Sequence, residues 1–172
     1  SELHTSFSNM KKFENSENFY AKKLSKINAP AFIYPFVIRG YKYFGDDSTK
    51  LNTLFNVLEV LTFRARLINS RANIQERLNS ILLNFKGDLI NIKQEIKSKL
   101  NESWYWSDTN TKNYLNGGMY GNKVLNYLLW EYENSIQNKG YSIKNFSLEN
   151  EQIEHISPQT PTDGEPIATG YD

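Results

Sequence analysis

Cysteine is absent from the 172-residue chain. Its absence removes disulfides, thiolate nucleophiles and cysteine-bound zinc from consideration, and a cysteine-free chain suits a reducing compartment, so the expected location is cytoplasmic. Long apolar runs are missing as well. The longest, residues 29–38, is broken by Pro30 and Pro35 and is too short to cross a bilayer, so no membrane partner is expected. No secretory signal is visible at the N-terminus. The start at Ser1 rather than Met reads as an excised or tagged piece of a protein. A Gly-rich phosphate loop is lacking too, because Gly117, Gly118 and Gly121 amount only to a turn signal. Histidine occurs twice, as His4 and His155, so imidazole chemistry has two carriers at most, and nothing around His4 suggests a role. There is no internal repeat of solenoid period.

What is present suffices for a folded core. Hydrophobic residues at 39% and aromatics at 14% take the chain out of the compositional range of disorder. The length fits one domain, or one domain and the start of a second. The net charge of +1 is unevenly distributed. Residues 151–172 hold five acids (Glu151, Glu154, Asp163, Glu165 and Asp172) and no Lys or Arg, which leaves 20 basic and 14 acidic groups, net +6, in residues 1–150. A modestly basic body can favour a polyanion, although a solvated helical surface accounts for the same balance.

Apolar spacing along the chain is mostly helical. Met10, Phe13, Tyr20 and Leu24 predict one amphipathic helix over 7–26. Pro30 suits the first turn of a second helix over 31–44, which Pro35 should kink or delay. Ser48 is a candidate cap for the clearest helix, where Leu51, Leu54, Phe55, Leu58, Leu61, Ala65 and Ile68 keep a three-four spacing. Helices over 72–85 and 88–100 follow, separated by Gly87. Residues 101–118 read as a loop with a short helix inside, with Trp104, Tyr105 and Trp106 as anchors over the core or as platforms for an unpaired base. A last helix is expected over 120–138, with Val124, Leu125, Leu128, Leu129, Tyr132 and Ile136 on its buried side. Beyond it, Gln152-Ile153-Glu154-His155-Ile156 alternates as a short strand does, and residues 157–172 read as an exposed loop. The fold class is therefore mainly α, a bundle-like or orthogonal domain of about six helices over residues 1–146, with a short strand and loop in residues 147–172.

The strand end is where chemistry concentrates. Pro158 forces Ser157 out of helical geometry, so a carboxylate and an imidazole stand side by side on a short rigid element. Glu154-His155-Ile156-Ser157-Pro158-Gln159 resembles the first motif of HNH, or ββα-metal, endonucleases. The nearest pattern, acid-His-Ile-x-Pro-Gln, is found in CRISPR effector nucleases and in the nuclease half of the GmrSD family of modification-dependent restriction enzymes. The helical lead-in, residues 51–71 and 124–132, is similar to the latter family, diffusely over most of the chain. The resemblance implies that His155 is the general base, that Glu154 is the acidic ligand of one divalent metal, expected to be Mg²⁺, and that the substrate is double-stranded DNA, plain or modified. It also implies a nucleotide-hydrolysing domain on the N-terminal side, in cis or in trans. An HNH site needs a later Asn or His, and neither follows Gln159. The ββα unit is therefore expected to be incomplete, and the chain alone inactive and metal-free.

Basic residues give a second candidate site. Arg64, Arg66, Arg71 and Arg77 cluster around the third and fourth helices, where they can contact phosphates or pair with local carboxylates such as Glu59 and Glu76. Two functions without catalysis stay open beside the nuclease: a helical scaffold for partner domains, and a nucleic-acid-binding module.

Overall fold

The computed structural model describes residues 2–69, 73–102 and 106–136. Its described residues form eight α-helices: α1 (Glu2–Glu14), α2 (Phe19–Lys26), α3 (Tyr34–Phe44), α4 (Ser48–Ile68), α5 (Ile74–Asn84), α6 (Leu89–Glu102), α7 (Asp108–Leu115) and α8 (Leu125–Ile136), with a 3₁₀ turn at Ala31–Ile33. The mainly helical class is as expected, and the helices number eight rather than about six. The backbone divides into two units, Ser1–Glu131 and Tyr132–Asp172. Of the second unit only residues 132–136, the last of α8, are described. The expected strand at 152–156, the boundary at 146/147 and the loop beyond lie outside the described residues.

One expected helix is two because polar side chains outbid the backbone between them. Asn18 Oδ1 accepts from the N–H groups of Tyr20 and Ala21 at 3.0 and 3.2 Å, the geometry of an N-cap. Its own N–H donates to Ser16 Oγ at 3.1 Å. The chain therefore turns at residues 15–18 and restarts as α2. That helix ends with Asn28 in the left-handed region at φ 57°. There the Ala29 N–H donates to Leu24 O and the Asn28 N–H to Ser25 O, which satisfies two terminal carbonyls.

Proline delays α3 rather than kinking it. The 3₁₀ turn takes up residues 31–33, and Pro35 falls in the first turn of the helix, where its missing N–H has no bond to lose. The cap of α4 is Asp47, not Ser48: its carboxylate accepts from the Lys50 N–H at 3.1 Å. Within α4 the expected stripe is buried at Leu51, Leu54, Phe55, Leu58, Leu61 and Ile68, with Ala65 half-buried.

That stripe makes α4 the centre of the unit. Helices α2, α3, α6 and α7 pack against it, α1 lies on α3 and α2, and α5 lies on α6. The close approach of α3 to α4 requires a glycine. A Cβ added at Gly40 would stand 2.4 Å from Leu54 Cδ2 and 3.7 Å from Leu51 Cδ2. Leu54 is fully buried, so it cannot swing aside without disturbing a close-packed interior. Alanine gains about 1 kcal/mol of helix propensity, and overpacking costs about 1–3 kcal/mol. Gly40→Ala is therefore expected to lose up to about 2 kcal/mol net; a urea midpoint above wild type would show that α3 and α4 separate at little cost.

Helix ends are tied by long-range donors. The Arg39 guanidinium bonds to Leu82 O, and also to Leu83 O and Phe85 O at 3.1 and 3.3 Å, capping the C-terminus of α5 where the helix dipole favours a cation. Asn122 Nδ2 donates to Leu67 O at 3.1 Å, at the end of α4. The inward side of α8 differs from expectation. Val124 is buried as expected and Leu125 and Leu128 are half-buried, but Tyr127 is buried too, whereas Leu129, Tyr132 and Ile136 are exposed.

Candidate functional site

The sequence-predicted catalytic pair, Glu154 and His155, and the predicted arginine Arg71 lie outside the described residues. The other three arginines are placed, and each is engaged within the fold. Arg64 Nη1 donates to Trp106 O at 2.9 Å, and its other Nη pairs with Asp108. Arg66 bonds Asn28 O through Nε, at 3.1 Å, and through Nη2. Arg77 lies over the Trp106 ring, 5.6 Å from the centroid. Glu59 does not pair with these arginines; Asp108 partners Arg64. Trp106 is buried as an anchor, 3% exposed, with one arginine on its ring and another on its carbonyl. Trp104 and Tyr105 lie outside the described residues.

Polar chemistry in the core gathers instead around Lys23, a residue that apolar spacing does not single out. Position 23 falls on the buried side of α2, beside Ala21 and Leu24, so its ammonium enters the protein. Its Nζ stands 2.8 Å from Glu131 Oε1 and 3.8 Å from Glu59 Oε2. The Tyr127 hydroxyl donates to Glu59 Oε1 at 2.6 Å. Four rings surround the ammonium: Phe19 and Tyr20 at 5.3 Å, Tyr127 at 5.7 Å and Trp130 at 6.0 Å from their centroids. Lys23 and Glu59 are each only 8% exposed.

The physics of this cluster is that of charges taken out of water. An isolated buried ammonium is costly, and here two carboxylates and the negative faces of the rings replace its hydration. Burial raises the Glu59 carboxyl above its ordinary value, outweighing the Tyr127 hydrogen bond and the Lys23 charge, which act the other way; Glu131 adds to the rise. Burial, then the charge of Glu59 beside it, pushes the Tyr127 hydroxyl far up, so it stays protonated as a donor. Trp130 Nε1 is buried with no hydrogen-bond partner among the described residues.

The arrangement joins three helices. Lys23 is on α2, Glu59 on α4, and Tyr127, Trp130 and Glu131 on α8. Close backbone packing is not what holds α8, since α8 is absent from the closely packed helix pairs. Side chains hold it, through the cluster, the Phe63–Tyr127 ring contact at 6.2 Å and Phe19–Trp130 at 6.4 Å. A signal for the cluster exists in the sequence: Glu59 interrupts the apolar side of α4, and a carboxylate there needs a partner. Nothing local says which.

As a site for a cation the cluster is already filled by Lys23. No group of three His, Cys, Asp or Glu able to hold a metal ion occurs among the described residues. Among the clefts on the surface of the first unit, two are lined by described residues. One, about 780 Å³, lies among α1, the start of α2 and the start of α4, with Ser16, Tyr41 and Asn52 in its walls. The other, about 350 Å³, runs between α4 and α6. No described helix is long and apolar enough to cross a membrane. Comparison with protein-family models, with curated proteins and with solved structures gives no match.

Proposed function

We propose that the chain belongs to a DNA endonuclease of the HNH type, a hydrolase of phosphodiesters serving restriction of foreign DNA, with His155 as general base and Glu154 as metal ligand. The observation that carries the reading is the string Glu154-His155-Ile156-Ser157-Pro158-Gln159. Carboxylate oxygen is the donor a hard divalent cation such as Mg²⁺ prefers, so the chemistry of Glu154 fits the expected metal. A bound divalent cation would supply stabilisation of the charge that develops on the phosphate and on the leaving oxygen.

The residues' own work is proton transfer and positioning. Neutral imidazole is populated near pH 7, and His155 takes the proton as the water oxygen attacks phosphorus and the bond to the 3′ oxygen breaks. The leaving oxygen is protonated from solvent. The remaining donor of such a site, an Asn or His, is not among residues 160–172, and the reading assigns it to a segment or chain supplied by the intact protein. The helical unit would then serve as the platform that presents the substrate.

The test is plasmid nicking by the intact protein, on modified and unmodified DNA, with Mg²⁺ or with EDTA. His155→Ala is expected to lower the nicking rate about 10²- to 10⁴-fold, the usual contribution of a positioned base. Equal nicking by both proteins would remove His155 from the chemistry. Silence of the intact protein on both substrates would leave a helical scaffold as the better description.

A further inference from the structure

We propose that the groove between α4 and α6 holds the sugar-phosphate backbone of one DNA strand, with Lys93 and Lys97 as its phosphate contacts. This rests on the nuclease reading, since it names the surface that would grip the substrate.

The three described arginines singled out by sequence are poor candidates for that surface. Arg64, Arg66 and Arg77 already serve Trp106, Asp108 and Asn28. Lys93 and Lys97 are exposed on α6 and have no ion pair or hydrogen bond among the described residues. They stand four residues apart on one face of the helix, about 6 Å along its axis, which is the scale of the step between neighbouring phosphates.

The groove's walls are chemically one-sided. Its rim carries donors: the two ammoniums and the amides of Asn56 and Asn101. These are among the groups that bond phosphate and sugar oxygens without reading sequence. The single carboxylate, Asp108, is taken by Arg64, so that end is close to neutral. The floor is aliphatic, with Val60 exposed beside buried Ile96 and Leu100. Such a floor suits the apolar face of a deoxyribose lying between two phosphates. Its described lining residues include no aromatic ring and so offer no surface for base stacking, and contacts to the backbone alone should be indifferent to sequence.

The test is fluorescence anisotropy of the intact protein with a fluorescein-labelled oligonucleotide, single-stranded and annealed to its complement, across about 50–200 mM salt. Wild type is compared with the double variant Lys93→Gln/Lys97→Gln and with Lys11→Gln/Lys112→Gln, which removes the same charge from α1 and α7. Loss of two phosphate contacts should flatten the slope of log affinity against log salt by about 1.8 on duplex, or about 1.4 on a single strand. Affinity at low salt should weaken at least about tenfold. The arm in which this occurs identifies the strand state gripped. An unchanged slope in the groove variant, an equal loss in the control variant, or no binding by wild type in either arm would overturn the proposal. His155→Ala should leave binding and slope intact, so failure of the catalytic assignment is distinguishable from failure of the groove.

Discussion

Truncation of Lys23 to alanine is expected to destabilise the protein by about 3–5 kcal/mol, the range for breaking a buried ion pair from one side. The loss follows from what remains. Glu59 stays buried with Tyr127 as its one strong donor, Glu131 loses the ammonium 2.8 Å away, and four rings close on a void. Urea denaturation measures it, and a change under about 1 kcal/mol would mean that water reaches the cluster freely. Joint replacement, Lys23→Met with Glu59→Gln and Glu131→Gln, should recover much of the loss, because exchanging buried charged groups for neutral ones of similar size is often close to neutral.

The same cluster fixes the sign of a pH dependence. Burial raises the folded Glu59 carboxyl above its ordinary value of 4.5, so the folded state holds that proton more tightly than the unfolded chain. The stability contributed is fully present below about 4.5 and is lost as pH rises through the raised value. Lys23 is one of the influences holding the value down, so without it the ionised carboxylate becomes costlier. The deficit of Lys23→Ala should therefore be larger near about pH 8 than near about pH 5. Asp47 and Glu102 run the other way. The Lys50 backbone N–H holds Asp47 below its ordinary value, and the Lys99 side chain does the same for Glu102. Their contributions are present above the ordinary carboxylate values and fade on acidification through the lowered ones. Both lie at the surface within reach of solvent, so Glu59 dominates the difference between the two proteins.

Sequence and structure agree where the controlling physics is local. The stripe from Leu51 to Ile68 is legible because one helix face repeats every three or four residues, and that face is the core. The break between α1 and α2 was equally local, yet the apolar spacing of Phe13, Tyr20 and Leu24 runs across it; Asn18, whose side chain caps α2, is the residue that decides. The expected face of α8 holds only in part, for a different reason. Hydrophobicity favours Leu129, but the buried position belongs to Tyr127, whose hydroxyl has a partner 68 residues away in Glu59. The arginines show the same limit. Their charge is visible in sequence, but their engagement with Trp106, Asp108 and Asn28 exists only once the helices meet. Glu154 and His155 are legible by motif alone and lie outside the described residues, so their claim is chemical rather than geometric.

Removal of the Phe55 ring is the other large effect expected. Phe55 is fully buried at the point where α1 and α3 both meet α4. Its ring stands edge-on to Phe13 at 5.4 Å and is tilted against Tyr41 at 6.0 Å. Phe55→Ala combines lost transfer free energy with a cavity that helices tied on other sides cannot fully close, a cost of about 3–5 kcal/mol. Phe55→Leu keeps most of the volume and should lose about 1.5 kcal/mol, since the ring pairs go but the space stays largely filled. A double-mutant cycle between Phe55→Leu and Phe13→Leu should return a coupling of about 0.5–1.5 kcal/mol, because the edge-on contact is counted in both single variants. Additive losses would mean that Phe13 holds α1 through Tyr34, whose ring it also meets at 6.2 Å, and that α1 reaches α4 by way of α3.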